Sequence, residues 1–107
     1  MVLTKGGRLT EDIRLDYEIL RRAVLILRAI NHKLRQSIIL LLEERDHLTV
    51  TEIYVRLRLE QSVASQHLAI LRRAGIVKTD RQGKFIYYSL NKDRIAEVAG
   101  LVEMLAD

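Results

Sequence analysis

Residues 61–77 constrain the fold more than any other segment, because they combine a two-sided helix with a definite stop. One side is apolar at helical spacing, through Val63, Leu68, Ile70 and Leu71. The other side begins with short polar side chains, which are Gln61, Ser62, Ser65 and Gln66. Ala74 and Gly75 then end the pattern. The segment therefore predicts a helix over residues 61–74 that packs on its own domain with one side and presents the other outward.

The polar side of this helix is typical of a helix that reads DNA in the major groove. Gln66 is the strongest candidate for a base contact, because its amide can bridge N6 and N7 of adenine. Ser62 and Ser65 can contact bases or phosphates, and their alternative role is to cap the start of the helix. Arg72 and Arg73 lie late in the helix, where contact with the DNA backbone or with solvent is expected.

The net charge of +4 is concentrated around this helix. Residues 49–90 carry seven basic side chains against three acidic ones, whereas the rest of the chain carries eleven of each. The basic residues of the segment are Arg56, Arg58, Arg72, Arg73, Lys78, Arg81 and Lys84. Such a local excess is expected of a phosphate-binding surface, and a solvated basic face is the alternative. The neighbouring helix favours the first interpretation.

The length and composition indicate one soluble domain. A chain of 107 residues has room for one small core, and an apolar share of 49% is ordinary for a folded protein. The chain has no cysteine, which excludes disulfides and thiolate metal sites. The N-terminus lacks a signal-peptide pattern and no span is long enough to cross a bilayer. We therefore expect a cytoplasmic protein without a membrane partner.

The first half of the chain predicts a flexible arm and two helices. Residues 1–9 lack periodicity, so we expect them to form the arm in front of a single domain of residues 10–107. Thr10 is the predicted N-cap of a long first helix, and Asn31 is the predicted N-cap of the second. The second helix is apolar all round over residues 38–42, which places it at the centre of the fold.

Residues 49–74 predict a helix-turn-helix unit. Thr49 and Glu52 have the spacing of a capping box, in which each side chain binds the backbone amide of the other residue. A short third helix should follow, as far as about Leu57, and a tight turn through residues 58–60 leads to the helix described above. The turn is unusual because it contains no glycine.

A β-hairpin follows the helix-turn-helix unit. Residues 77–80 and 85–90 are rich in β-branched and aromatic side chains, and they flank a four-residue tip that contains Gly83. Arg81 and Lys84 at this tip can contact the minor groove or a phosphate, and the alternative is that they are loose surface charges.

The expected fold class is mainly α with a small β-hairpin, a winged helix-turn-helix in the order α-α-α-α-β-β-α. Asn91 caps the last helix in this order. Tyr87 and Tyr88 alternate across the second strand, so we expect one in the core and the other exposed. The predicted DNA-binding residues are Gln61, Ser62, Ser65, Gln66, Arg72, Arg73, Arg81 and Lys84.

This order of elements, together with its residues, resembles the ArsR/SmtB family of winged-helix transcriptional repressors. Residues 29–42 are similar to the beginning of the family's second helix, with His32 where many members have proline. Residues 65–68 and 71–77 match the family's reader-helix pattern, and residues 87–90 match its wing. The strength of the resemblance lies in the combined order, because a lone helix-turn-helix match is a weak signal.

The family resemblance implies a homodimer that places two reader helices in successive major grooves of a palindromic operator in double-stranded DNA. Independent support comes from the first and last helices, whose apolar surface exceeds what a small core can cover. The alternative is that these two helices pack on each other within one chain. The predicted dimer contacts are Leu20, Val24, Ile95, Val98, Val102 and Leu105.

The family's known metal-sensing residues are missing. The resemblance places Thr49 and Thr51 at third-helix positions where many members have thiolate ligands, which threonine cannot supply. Another family site uses histidines and carboxylates on the last helix, which here has Asp93, Glu97 and Glu103 but no histidine. Redox sensing by paired cysteines is excluded as well. We therefore expect neither a cofactor nor a metal site.

The three histidines are expected to have structural roles. His67 could contact DNA, but half-buried histidines on an apolar helix side are usually satisfied by hydrogen bonds within the domain. His32 and His47 are isolated in the sequence, which favours surface or capping roles over a metal pair. No serine is accompanied by a recognisable base and acid, and no phosphate-binding glycine loop occurs. The chain is therefore not expected to be an enzyme.

The sequence predicts a dimeric, sequence-specific DNA-binding repressor that occludes a promoter. Residues 61–74 would read the major groove, and residues 78–88 would hold flanking DNA. One alternative is a winged-helix protein-interaction module without operator reading, against which Ser65 and Gln66 argue, because they stand beside the local positive charge. A second alternative is a metalloregulator with an atypical site of oxygen and histidine ligands.

Overall fold

The computed structural model describes the backbone of residues 9–106 and the side chains of residues 17–100 and Glu103. The elements follow in the order α1(Leu9–Ile30), α2(Lys33–Arg45), β1(His47–Thr49), α3(Val50–Leu57), α4(Gln61–Arg73), β2(Val77–Gln82), β3(Phe85–Leu90) and α5(Lys92–Ala106). This order confirms the predicted winged helix-turn-helix class and adds the short strand β1. The predicted arm of residues 1–9 lies outside the described residues, apart from Leu9 in α1.

Two of the predicted helix N-cap residues, those of α1 and α2, are wrong. Thr10 is helical and is not an N-cap, because α1 is already formed at Leu9. The N-cap of α2 is His32 and not Asn31, because His32 has extended backbone and its Nδ1 accepts a hydrogen bond from the amide of Leu34 at 3.1 Å. An imidazole nitrogen here takes the acceptor role that serine or asparagine oxygens usually have.

The helix-turn-helix unit begins with the predicted capping box. Thr49 Oγ1 accepts a hydrogen bond from the amide of Glu52 at 3.2 Å, and Glu52 Oε1 accepts one from the amide of Thr49 at 3.0 Å. α3 ends at Arg58, which takes the left-handed conformation with φ 56°. The amide of Leu59 then bonds back to the carbonyl of Tyr54 at 2.9 Å. Arg58 thus occupies the position where glycine is most often found, and the turn forms without one.

The core lies where α2, α3 and α4 meet the sheet. Its largest fully buried side chains are Ile38, Leu42, Ile53, Leu68, Leu71 and Ile76. Each contributes roughly 1.5–3 kcal/mol through removal of apolar surface from water. The central position predicted for α2 is confirmed through Ile38 and Leu42, although one leucine of this helix, Leu40, remains 63% exposed.

The end of α4 is a Schellman motif. Gly75 has φ 77°, and its amide donates to the carbonyl of Arg72 at 3.0 Å, while the amide of Ile76 donates to the carbonyl of Leu71 at 2.9 Å. Leu71 and Ile76 are both fully buried, so the helix stop is itself packed into the core. The predicted end of the helix at Gly75 is confirmed.

The sheet is antiparallel with the strand order β1-β3-β2. β2 and β3 form a wing, and they are joined by a two-residue turn at Gly83 and Lys84, which is shorter than the four-residue tip expected from the sequence. Gly83 has φ 65° and no described atom lies within 4 Å of the place a β-carbon would occupy. Glycine is therefore needed there for its backbone conformation and not for space.

α5 begins at the predicted cap, where Asn91 Oδ1 accepts a hydrogen bond from the amide of Arg94 at 3.3 Å. The helix packs against α1. Val98 is 7% exposed and belongs to the core, and Ile95 packs against that core. None of the helices within residues 9–106 combines the length and the apolar content that a bilayer crossing requires.

Candidate nucleic-acid interface

The reader face is the exposed side of α4. It consists of Gln61, Ser62, Ser65, Gln66, Ala69, Arg72 and Arg73. At 100° per residue these side chains occupy an arc of about 140° of the helix surface. The opposite side is buried in the core through Ala64, Leu68 and Leu71. The six residues of α4 that were predicted to contact DNA therefore lie together on one open surface.

The polar side chains of the reader face are available to a partner. α4 has Glu60 as its N-cap, without a side-chain cap hydrogen bond, so Ser62 is the second helical residue and does not cap the helix. Within the described residues, the side-chain hydrogen bonds of α4 involve His67 and Arg73. Gln66 consequently keeps both the donor and the acceptor of its amide free, as a bidentate contact with adenine requires.

His67 supports the reader face from within the domain. The ring is half-buried, and Arg35 Nη1 lies 3.3 Å from its Nδ1. Because a guanidinium group only donates, Nδ1 accepts this hydrogen bond and the neutral ring carries its proton on Nε2. Burial lowers the pKa of His67, and the neighbouring His32 and Arg35 lower it further. The internal role predicted for His67 agrees with these contacts.

Arg35 connects α4 with the end of α1. Its Nε donates to the carbonyl of Ala29, and its Nη2 donates to the carbonyl of Arg28 at 3.2 Å. The ring of His32 lies beside that of His67, with 4.6 Å between the centroids. His32 is therefore isolated in sequence but not in space, and the surface and capping role expected of it is confirmed by its exposure and by its hydrogen bond with the Leu34 amide. These contacts fix the position of the reader helix, α4, relative to α1 and α2.

The wing carries its two basic candidates at the tip. Both are exposed: Arg81 Nε donates to the carbonyl of Gly83 at 3.3 Å, and Lys84 Nζ lies 5.5 Å from the centroid of the Phe85 ring. By strand register, Arg81 shares a sheet face with Tyr88. Because Tyr88 borders the reader face, the side of the wing that carries Arg81 is the side turned towards α4.

Tyr88 joins the wing to the reader face, a position that the sequence pattern did not assign to it. Together with residues of the reader face it lines a groove of about 390 Å³, and its ring packs against the core. The expectation of one buried and one exposed tyrosine is wrong, because both rings are half-buried. Tyr87 packs edge-on against His47 on the other sheet face, with 5.1 Å between the centroids. Tyr87 is partly covered by His47 of β1, a strand that was not predicted from the sequence.

The seven basic residues between positions 49 and 90 are all exposed. The salt bridges within the described residues join Arg45 to Glu44 and Arg94 to Glu97, so none of the seven is neutralised there. Lys78 pairs with Ser89 and lies on the sheet face opposite Tyr88, so it does not extend the reader face. The remaining charge is available to attract a polyanion.

An apolar stripe on α1 offers a surface for a second copy of the chain. Tyr17, Leu20 and Val24 follow one another at helical spacing and are 63%, 42% and 45% exposed. An uncovered stripe of large apolar side chains is the usual mark of an interaction surface. Two of the predicted dimer contacts, Leu20 and Val24, therefore lie on an accessible surface.

The dimer contacts predicted on α5 do not form a comparable exposed stripe within the described side chains. Val98 is buried in the core of its own chain, so it cannot also lie on an outer surface, and its assignment as a contact is corrected. Ile95 is half-buried against the same core. Val102 and Leu105 lie outside the described side chains. The alternative of packing within one chain thus applies to Val98.

The positions associated with metal sensing have other surroundings. Thr49 is engaged in the capping box, and Thr51 is exposed on the first turn of α3. Among the described residues, no group of three or more histidine, aspartate or glutamate side chains is arranged to hold a metal ion.

The fold and this surface define a winged helix-turn-helix protein with an exposed reader helix and a basic wing. The arsR family of bacterial regulatory proteins matches residues 32–79. The chain is 35% identical over 94 residues to the transcriptional repressor PagR of Bacillus anthracis, covering 88% of this chain and 91% of PagR. It is 38% identical over 84 residues to the transcriptional activator HlyU of Vibrio cholerae serotype O1, covering 78% of this chain and 74% of HlyU.

Comparison with solved structures leads to the same two proteins. The crystal structure of PagR has a TM-score of 0.68 at 36% identity, covering 83% of this chain and 98% of that one. HlyU from Vibrio vulnificus CMCP6 has a TM-score of 0.65 at 32% identity, covering 87% and 97%. The chain belongs to the ArsR family of bacterial regulatory proteins, as the resemblance in its sequence predicted. It is a DNA-binding transcriptional regulator of the winged helix-turn-helix class.

Proposed function

We propose that this protein is a dimeric repressor that binds a palindromic operator and occludes a promoter. The observation that carries the proposal is the reader face, where four polar side chains stand free on a helix fixed in the core by its other side. A rigid helix needs little further ordering when it binds, so its side chains can discriminate between bases. Gln66 and Ser65 would contact bases, while the arginines of α4 and the basic wing tip would hold the DNA backbone.

A second copy of the chain would supply the symmetry of the operator. The α1 stripe of Tyr17, Leu20 and Val24 is self-complementary in its chemistry, and a two-fold axis would bury each stripe against its equivalent. Removal of apolar surface from water supplies about 25 cal/mol per square ångström, from which the lost freedom of the two chains has to be subtracted. The two reader helices would then meet half-sites one helical turn apart, or about 34 Å.

Occlusion of a promoter requires only that the protein binds the DNA, and it requires no catalytic step. A dimer seated on a promoter excludes other proteins from the same DNA by steric overlap, so neither a cofactor nor a catalytic group is needed. In the sequence alignments, the similarity to PagR, which is named a repressor, extends over more of both chains than the similarity to HlyU of Vibrio cholerae, which is named an activator. This difference favours repression, and the site of action would be the cytoplasm.

Selection of bound duplexes from a pool with a random central region tests the proposal. We expect enrichment of a palindrome whose half-sites are one helical turn apart. A pool without enrichment would contradict sequence reading and favour a protein-interaction module. The double variant Leu20→Glu, Val24→Glu should sediment as a monomer and lose the palindrome. Leu40→Glu is the matched control, because Leu40 is also an exposed leucine of a helix but lies away from the stripe.

A further inference from the structure

A groove of about 430 Å³ lies between α1 and the end of α4. Its floor is apolar and is formed by Leu25 and Ala29 from α1, by Ile70 from α4 and by Ala74, the C-cap of α4. Leu25 is 51% exposed, so the groove is open to solvent. A groove with this floor favours a ligand with an apolar body.

Three arginines surround this apolar floor, namely Arg28, Arg35 and Arg73. No carboxylate within the described residues forms a salt bridge with any of them. Arg35 uses three of its five N–H groups for the carbonyls of α1 and for His67, which leaves two for a ligand. Three like charges around one groove repel one another, and a bound anion would relieve that repulsion.

We propose that the groove binds a small organic anion, with an apolar body and a carboxylate or equivalent acidic head, and that this ligand lowers affinity for DNA. Guanidinium groups bind carboxylates through paired, charge-assisted hydrogen bonds, and the apolar floor takes up the rest of the molecule. The ligand would act as the inducing signal of the proposed repressor, so this regulatory step depends on the proposed function.

The groove borders the residues expected to read DNA. Gln66, Ile70 and Arg73 follow one another along α4 at helical spacing, so the wall of the groove continues the line that holds Gln66. Arg73 lines both this groove and the groove beside Tyr88 on the reader face. An anion held by Arg73 competes directly with a DNA phosphate for the same guanidinium group, which couples ligand binding to release of DNA.

The proposed dimer would leave this groove open. Leu25 directly follows Val24 in α1, so its side chain points about 100° away from the apolar stripe. A neighbouring groove beside Val24 and Leu27 has a similar volume of about 440 Å³ but only one arginine, Arg28. The groove with three arginines is therefore the one suited to an anion. Leu25 on its floor lies away from the apolar stripe, whereas Arg28 follows Val24 by one helical turn and borders both surfaces.

Direct binding of decanoate to the DNA-free protein tests the site, with decanol as an uncharged match. In NMR titrations of the ¹⁵N-labelled chain, we expect decanoate to shift the amide signals of Leu25, Ala29, Ile70 and Ala74. It should bind about tenfold more tightly than decanol, which corresponds to one charge-assisted hydrogen bond. Equal binding of the two compounds, or shifts confined to Tyr17, Leu20 and Val24, would overturn the proposal.

Two variants locate the ligand without disturbing the core. Leu25→Glu places a negative charge in the groove and Arg28→Gln removes a positive one, and each should weaken decanoate binding about tenfold. Leu40→Glu should leave it unchanged. Unchanged decanoate affinity in both groove variants would refute the site. Thermal unfolding followed by circular dichroism confirms that each variant is folded.

A second measurement separates the site from the proposed function. If decanoate binds in the groove and the protein selects an operator, decanoate should release that operator from the native chain but not from Arg28→Gln. Groove binding without release would refute the regulatory step, while absence of any selected operator would refute the proposed function and leave the binding result standing. If Arg28→Gln weakened operator affinity in the absence of decanoate, Arg28 would be a phosphate contact and the assignment would fall.

Discussion

Replacement of Gln66 by alanine tests the reader face at its most specific point. The side chain is exposed and forms no hydrogen bond within the described residues, so its removal leaves no unsatisfied group in the free protein. The methyl group that remains is also well suited to a helix. We therefore expect the thermal stability of Gln66→Ala to equal that of the native chain, and the whole effect to lie in DNA binding.

The size of that effect follows from the strength of a bidentate base contact. One such contact between an amide and adenine contributes about 1–3 kcal/mol of discrimination against a wrong base. A symmetric dimer places two of them on the operator, so the discrimination should fall by about 2–6 kcal/mol. At about 1.4 kcal/mol per tenfold, the ratio of operator to random-DNA affinity should fall by a factor of roughly 30 to 20,000.

Competition titrations with labelled operator and unlabelled random DNA measure this ratio at a fixed salt concentration. Gln36→Ala is the matched control, because Gln36 is an exposed glutamine of a helix that lies off the reader face. If Gln66→Ala and Gln36→Ala both retained the native ratio, the assignment of Gln66 to base reading would be wrong.

Three further predictions concern the wing, the helix-turn-helix unit and the support of the reader helix. Arg81→Ala should weaken binding to operator and random DNA alike. The slope of log affinity against log salt should become shallower by about 0.9 for each phosphate that is no longer neutralised, and an unchanged slope would exclude phosphate binding by Arg81. Thr49→Ala removes the hydroxyl that accepts a hydrogen bond from the Glu52 amide, so urea unfolding should show a free energy of unfolding lower by about 0.5–2 kcal/mol. A smaller decrease would mean that the capping box contributes little to stability. Because the folded chain lowers the pKa of His67 below its ordinary value of about 6.5, the unfolded chain binds more protons in that range, and stability should fall as pH drops through and below about 6.5. His67→Gln should reduce this fall between pH 7.5 and pH 5, and an equal fall in both proteins would assign it to other groups.

The parts of the fold that could be predicted from the sequence are those specified by local chemistry. The capping box of Thr49 and Glu52, the helix stop at Gly75 and the cap at Asn91 each involve hydrogen bonds between residues close in sequence. The polar side of α4 follows from helical periodicity alone. These signals were sufficient for the order of the five helices and the two wing strands and for the polar side of α4.

The features that could not be predicted depend on contacts between distant residues. β1 has three residues and exists because it pairs with β3, so no periodic pattern marks it. The contact of His67 with Arg35 and His32 joins positions more than thirty residues apart. Val98 has the spacing of a surface stripe, yet the packing of α5 against the body of the domain buries it. Periodicity shows which residues share a side of a helix, but the tertiary fold decides what covers that side.

The Schellman motif at Gly75 makes the reader helix and the wing a single rigid body. Gly75 and Ile76 are hydrogen-bonded to the last turn of α4, and Val77, the first residue of β2, is buried. None of the residues 74–76 between the reader helix and the wing is therefore free to act as a hinge. The distance between the proposed base contacts and the proposed wing contacts is therefore set by the fold, and an operator would have to match it. A signal that releases DNA must consequently displace both contacts together or occupy their charges, since neither element can withdraw alone.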